Sequence, residues 1–85
     1  MSVSFYAVDL EANYSNARAG VVLEAMGFLS EGRDFSDACV GECDGAEFER
    51  RCYLGLAYGL TAQQFSALVR VARKAKAEGV PVLWG

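Results

Sequence analysis

The three cysteines are the residues whose type and spacing most resemble a metal-binding or thiol-reactive site. Cys39, Cys43 and Cys52 would offer zinc three thiolates, with Asp44 as a fourth ligand. Structural zinc sites usually combine two pairs of closely spaced ligands, whereas this sequence has one such pair and no histidine. On a strand, Cys39 and Cys43 would lie about 13 Å apart. We therefore predict no metal site and interpret the cysteines as small buried apolar residues, with a thiol or metal site as the alternative.

The sequence also lacks the residues and motifs of the common catalytic sites. The absence of histidine removes the commonest general base, and no phosphate-binding glycine loop, dinucleotide fingerprint or serine nucleophile motif occurs. Glu47 and Glu49 fall in the first turn of a predicted helix, where acids are favoured by the helix dipole alone. We predict no enzyme activity, no catalytic residue and no cofactor.

Length and composition indicate the general class. The chain has 85 residues, 53% of them hydrophobic and 22% charged, which predicts one globular domain over 1–85. No apolar run approaches the roughly 18 residues that span a bilayer, and the first residues lack the pattern of a signal peptide. Three cysteines without an export signal favour free thiols. These features predict a cytoplasmic protein without membrane contact.

Hydrophobic periodicity and capping residues predict the elements that would position any site. The predicted elements are a strand over 3–10, helices over 16–26 and 46–58, a third helix between Thr61 and Gly79, a weak strand over 37–43 and a last strand over 80–84. The Pro near its start places this last strand at a sheet edge or leaves its first residue unpaired. The predicted fold is α+β in the order β-α-(β)-α-α-β. A two- or three-stranded sheet containing the first and last strands packs against the helices.

The core of this predicted fold is built from apolar residues on the inward faces of its elements. We expect the following residues to be buried: Phe5, Val8, Val22, Met26, Phe48, Cys52, Leu56, Phe65, Leu68, Val69, Val82 and Trp84. Leu54 and Tyr58 fall on the opposite side of the second helix from Phe48 and Cys52, so that this helix is apolar nearly all round. Such a helix is central in the fold or covered by a second chain, which makes Leu54 and Tyr58 candidates for self-association.

Charge is distributed very unevenly along the chain. Residues 1–49 hold ten acids and two bases, a net charge of −8, whereas residues 50–85 hold one acid and six bases, a net charge of +5. The acids between residues 31 and 49 are candidates for contact with a basic partner surface. They are Glu31, Asp34, Asp37, Glu42, Asp44, Glu47 and Glu49. The alternative is a solvated face without a partner.

The basic residues of the third helix have a simpler explanation than nucleic-acid binding. Arg70, Arg73, Lys74 and Lys76 complement the dipole near the end of that helix and form its solvated face. The net charge of −3 also opposes contact with phosphates. We therefore expect no direct binding of nucleic acid.

Four short segments resemble a loose group of small phage and mobile-element proteins. They are NYSNA (13–17), GECDGAEF (41–48), ALVRVARKA (67–75) and VLWG (82–85). The resemblance implies a genetic setting more than a mechanism. In size, acidity and lack of histidine the chain also resembles anti-CRISPR and anti-restriction proteins, a likeness that assigns no residues.

These observations lead to two hypotheses about function. The first is a non-catalytic inhibitor that docks its acidic stretch onto a nucleic-acid-binding surface of a bacterial defence complex. The second is a homodimeric structural or regulatory module of a phage or mobile element, joined through Leu54 and Tyr58 or through an edge strand.

Overall fold

The computed structural model describes residues 2–29 and 38–85. Within these residues the chain forms four strands and three helices. They are β1 (Ser2–Ala7), β2 (Leu10–Ser15), α1 (Asn16–Ala25), β3 (Gly41–Cys43), α2 (Gly45–Ala57), α3 (Ala62–Glu78) and β4 (Val82–Trp84). The α+β class is confirmed. The predicted strand count of two or three is wrong, as is the element order, because β2 was not predicted.

The strands form one antiparallel sheet in the order β2-β1-β4-β3. The prediction that one sheet contains the first and last strands is confirmed. The structure shows in addition that these two strands pair directly, since Phe5 lies opposite Trp84 and Tyr6 lies opposite Leu83. Of the two alternatives predicted for the last strand, the position at a sheet edge is wrong, whereas the unpaired start agrees with the structure, in which residues 80 and 81 precede the strand. β4 lies between β1 and β3, and Pro81 is compatible with this inner position because it precedes the strand, where its missing N–H costs no ladder hydrogen bond.

The strand that was not predicted, β2, follows β1 through a two-residue turn at Val8 and Asp9. Its alternation is visible in the structure, where Leu10, Ala12 and Tyr14 point toward the core and Glu11, Asn13 and Ser15 are exposed. Asn13 and Ser15 are residues typical of turns and helix starts, which obscured the strand in the sequence. The turn also lacks the glycine or asparagine that usually marks a hairpin. Val8 itself occupies the left-handed region, at φ 58°.

Local capping signals position the helices as expected. The Ser15 hydroxyl accepts a hydrogen bond from the Arg18 N–H at the start of α1, and the Asp44 carboxylate accepts from the Ala46 and Glu47 N–H groups at the start of α2. Thr61 and Gln64 form a reciprocal capping box on α3, which ends at Gly79 in the left-handed conformation. The predicted helices are confirmed to within about one residue at each end. Of the predicted strand over 37–43, only Gly41–Cys43 is a strand, and residue 37 lies outside the described residues.

The core lies between the helices and one face of the sheet, around an aromatic cluster. The rings of Phe5, Phe28, Phe48 and Trp84 lie 5.0 to 6.0 Å apart between centroids. The Trp84 indole N–H donates a buried hydrogen bond of 2.8 Å to the carbonyl oxygen of Ala38.

Most of the predicted core is buried, with three exceptions. Val8 is 59% exposed because it forms the tip of the hairpin rather than part of β1. Leu56 is 43% exposed because α2 turns Cys52 and Gly55 toward the core instead. Phe65 is half-buried and packs edge-on against Tyr53 at a centroid distance of 5.0 Å.

Candidate functional site

The acidic stretch predicted to contact a partner is only partly within the described residues. Glu31, Asp34 and Asp37 lie outside them. The other four acids are distributed over β3 and the beginning of α2, in three different environments: an exposed strand position, a helix cap and two sets of ion pairs.

Glu47 is held by the arginines of its own helix. Its carboxylate accepts hydrogen bonds from the Arg50 guanidinium at 2.6 Å and from the Arg51 Nε at 2.9 Å. Hydrogen bonds from Arg50 and then from Arg51 lower the pKa of Glu47 below its ordinary value. Arg51 in turn donates to the carbonyl oxygens of Met26 and Gly27, and so joins α2 to the end of α1.

Glu49 joins α2 to α3. Its side chain is only 17% exposed, and its carboxylate accepts hydrogen bonds from Lys76 Nζ at 2.7 Å and Arg73 Nε at 2.9 Å. Hydrogen bonds from Lys76 and then from Arg73 lower the pKa of Glu49. Its charge is therefore balanced inside the protein.

These ion pairs explain part of the uneven charge distribution along the sequence. Lys74 of α3 also lies 3.8 Å from the carboxylate of Asp9 in the hairpin turn. Five of the six bases between residues 50 and 85 thus pair with acids from the first 49 residues. The sixth base, Arg70, forms no ion pair with a described residue. The pairs of Arg73, Lys74 and Lys76 join α3 to earlier parts of the chain, whereas the pairs of Arg50 and Arg51 with Glu47 lie within α2.

Asp44 and Glu42 differ from these paired acids. Asp44 is exposed, but its carboxylate caps α2. Glu42 is exposed at the middle of β3, and it forms no ion pair with any residue that the structure describes. Among the four described acids, Glu42 is the one that neither caps a helix nor pairs with a described base.

Glu42 belongs to the side of the sheet that faces away from the helices, which we call the open sheet face. Val3, Phe5 and Ala7 of β1 point into the core, so the alternate residues point outward. The outward residues of the four strands are Ser2, Ser4, Tyr6, Glu11, Asn13, Ser15, Glu42 and Leu83. Asn13 donates hydrogen bonds across this face to the hydroxyls of Ser2 and Ser4.

One row of side chains crosses the open sheet face. The strand register places Glu42 opposite Leu83, Leu83 opposite Tyr6, and Tyr6 opposite Glu11. With strands about 4.8 Å apart, the row extends over about 14 Å. An exposed Tyr and a half-buried Leu thus lie between two exposed carboxylates. This row depends on how β1 is aligned with β2 and β4, and the alternation of residues along one strand does not show that alignment.

A second exposed feature is a groove between α1 and α2, with a volume of about 520 Å³. The two predicted self-association residues line it together with Val21 and Glu24. Leu54 is 43% exposed, Tyr58 is 71% exposed and Val21 is 56% exposed. Leu54 and Tyr58 are therefore exposed, and their self-association stays a prediction. Val21 is a member of the same surface that the sequence did not indicate.

The cysteines are thiols in apolar surroundings. Cys52 is fully buried, and burial, followed by the nearby Glu49 charge, raises its pKa to about 12. Burial also raises the pKa of Cys43, with a further contribution from Glu47. A thiol that stays protonated is a poor nucleophile and a poor metal ligand. Within residues 2–29 and 38–85, no three or more Cys, Asp or Glu side chains are grouped closely enough to hold a metal ion.

Searches for related proteins give no further indication of function. No protein-family model, curated protein or solved structure matches the chain. In the described part of the chain, no helix has the length and apolar character needed to cross a bilayer.

Proposed function

We propose that the protein is a small non-catalytic binding protein whose open sheet face docks onto a basic surface of another protein. The observation that carries this proposal is the row of Glu42, Leu83, Tyr6 and Glu11. Binding energy at protein interfaces is concentrated in a few central residues, among which Tyr is enriched. In this row a Tyr is central and the charges lie at both ends.

The two carboxylates favour a partner rich in Lys and Arg. Neither Glu11 nor Glu42 has an ion-pair partner among the described residues. Complementary charges at an interface accelerate association and exclude partners of the wrong charge. Surfaces that bind nucleic acid carry the required Lys and Arg residues.

The partner class in this proposal is a nucleic-acid-targeting defence complex of a bacterial host, reached in the cytoplasm. It follows from the resemblance to phage and mobile-element proteins and to anti-CRISPR and anti-restriction proteins. Occupation of the complex's phosphate-binding residues by Glu42 and the acids at 31, 34 and 37 would block its nucleic acid. Glu47 and Glu49 contribute less to this contact because their charges are already paired.

The test uses a panel of purified CRISPR effector complexes and restriction enzymes, with cleavage of target DNA as the readout. We expect the protein to inhibit at least one member and the double variant Tyr6→Ala/Glu42→Lys to lose that inhibition. The loss of a central Tyr alone corresponds to about thirtyfold weaker binding. The matched control is Leu56→Ala/Glu78→Lys, which truncates an exposed apolar side chain and reverses one acid away from both the open sheet face and the groove between α1 and α2.

Two results would contradict the proposal at different levels. If no member of the panel is inhibited, the partner class is wrong. If the Tyr6→Ala/Glu42→Lys variant inhibits as well as its control, the partner class holds but the open sheet face is not the contact surface.

A second candidate function is a homodimeric module, and the groove between α1 and α2 favours it. Val21, Leu54 and Tyr58 form an exposed apolar surface on two adjacent helices. Sedimentation equilibrium over a wide concentration range tests this candidate. A dimer that becomes a monomer in Leu54→Lys, but not in the exposed control Leu56→Lys, would support it. A parent protein that is monomeric at all concentrations would exclude it.

A further inference from the structure

The outer edge of β2 carries backbone groups that point away from the sheet. Among the described residues, β2 pairs with β1 on one side and with no strand on the other. Ala7 and Leu10 close the hairpin, so hydrogen-bonded pairs recur at every second residue, and the N–H and C=O groups of Glu11 and Asn13 face outward. The N–H of Ser15 faces outward as well, whereas its C=O belongs to the first turn of α1. The partner strand agrees with this assignment. Ser4, opposite Asn13, exchanges both of its backbone hydrogen bonds with Gly85 instead.

Within residues 2–29 and 38–85, this edge lacks most of the devices that protect an edge strand. Proteins block such edges with Pro, with charged side chains, with bulges, with very short strands or with a covering helix or loop. β2 has six residues in regular register with β1, contains no Pro and carries a single charged residue, Glu11. An extended chain can therefore add to it.

A groove runs along the same edge between β2 and α3. It consists of one depression of about 430 Å³ and a smaller one of about 90 Å³, and Ala67 of α3 lines both. The strand side of the groove includes Asn13 and Glu11, and the helix side includes Gln64 and Arg70. Because the side chain of Ala67 is small, the two depressions lie next to each other. Two neighbouring side chains of one extended peptide could therefore each occupy one depression.

The charge of the groove is mainly positive. Arg18 and Arg70 are the two bases in the described part of the chain that form no ion pair with a described acid. Both are exposed, and they line the larger and the smaller depression respectively. Glu11 is the only acid among the residues that line either depression. Two guanidinium groups at separate positions match two carboxylates on an extended chain.

We propose that the groove between β2 and α3 binds an extended acidic peptide segment of another protein, which adds to the sheet as a strand beside β2. The backbone groups of Glu11, Asn13 and Ser15 provide the main-chain hydrogen bonds of such a strand addition. Arg18 and Arg70 provide the preference for Asp or Glu side chains. This surface is separate from the Tyr6 and Glu42 positions that test the proposed function, so either proposal can fail alone.

The probe for this test is a seven-residue peptide of alternating valine and glutamate, with blocked ends. A lysine-containing peptide of the same length is the control ligand. Binding is followed by NMR through the backbone amide shifts and by hydrogen exchange of the same amides. We expect the acidic peptide to shift the Glu11, Asn13 and Ser15 amides and to slow their exchange, and the basic peptide to bind at least about tenfold more weakly, because each exposed ion pair contributes up to about fivefold.

Two variants separate the main-chain and charge contributions. Asn13→Pro removes the outward N–H and should abolish peptide binding, whereas Asn13→Ala keeps that N–H and should bind like the parent. Arg18→Gln/Arg70→Gln should weaken binding of the acidic peptide about tenfold. Its control is Arg50→Gln/Lys76→Gln, which removes two positive charges elsewhere. If Asn13→Pro fails to fold, the double arginine variant decides, because both side chains are exposed.

The proposal is overturned if the acidic peptide leaves the three amides unchanged at millimolar concentration, or if its shifts map to the groove between α1 and α2. Equal binding of the acidic and basic peptides would overturn it as well. So would equal affinity of the two double variants.

Discussion

The indole of Trp84 and the backbone of Ala38 are 46 residues apart in sequence and are joined by a buried hydrogen bond of 2.8 Å. Ala38 is 1% exposed and Trp84 is 5% exposed, so water cannot replace either partner. The bond attaches β4, in the middle of the sheet, to the chain that leads into β3. The edge strand β3 has only three residues, and this bond supplements its short ladder.

Trp84→Phe should therefore destabilise the protein. It leaves the Ala38 carbonyl buried without a donor, which costs about 1 to 3 kcal/mol. The lost ring volume adds to this cost. Urea unfolding followed by circular dichroism measures the change, and Tyr6→Phe, which removes an exposed hydroxyl, is the control. A change for Trp84→Phe no larger than that of the control would show that the hydrogen bond contributes nothing.

Two leucines that the sequence placed in the core differ in the structure, and this difference can be measured. Leu68 is fully buried, whereas Leu56 is 43% exposed. Leu68→Ala should cost about 2 to 5 kcal/mol, and Leu56→Ala should cost less than about 1 kcal/mol. Equal losses of stability in the two variants would contradict the arrangement of α2 and α3.

Features set by local sequence were predictable. Asp44 begins α2, Thr61 and Gln64 begin α3, and Gly79 ends it, because each of these signals acts within about four residues. Cys52 and Phe48 were placed in the core because the apolar face of a helix is visible in its own spacing.

Features set by distant residues were not predictable. The charge of Glu49 is balanced by Arg73 and Lys76, which are 24 and 27 residues away, and no local pattern shows that pairing. The row that contains Tyr6 and Glu42 likewise depends on the register of three strand pairs. The sequence indicated an acidic surface, but the structure was needed to separate its paired acids from its unpaired ones.

The turn between β1 and β2 provides a prediction of increased stability. Val8 has φ 58°, a conformation that is strained for a β-branched residue and costs about 1 to 2 kcal/mol. Val8→Gly removes this strain and adds about 0.5 to 1 kcal/mol of backbone entropy cost. The net effect should be a stabilisation of up to about 1 kcal/mol, or an increase in Tm of up to about 4 to 8 °C.

The control for this prediction is Val40→Gly. Val40 is similarly exposed, at 66%, and has no positive φ. It should not gain stability. A decrease in Tm for Val8→Gly equal to that for Val40→Gly would show that the hairpin turn is not strained.

The ion pairs of Glu49 predict how stability depends on pH. Hydrogen bonds from Lys76 and Arg73 lower the pKa of this carboxyl in the folded protein, below the ordinary glutamate value of about 4.3. Because the pKa of Glu49 is lower in the folded protein than in the unfolded protein, its ion pairs stabilise the fold fully at pH values above the unfolded-state pKa. This stabilisation is lost as the pH falls through the folded-state pKa. Glu49→Gln should therefore lower Tm at pH 7, and the difference from the parent should shrink as the pH falls below about 4.

The control, Glu78→Gln, should show no such dependence, because Glu78 forms no ion pair with a described residue. Thermal unfolding at pH 7, 5, 4 and 3 provides the comparison. A Tm difference between parent and Glu49→Gln that stays constant over this range would mean that the link between α2 and α3 does not depend on the charge of Glu49.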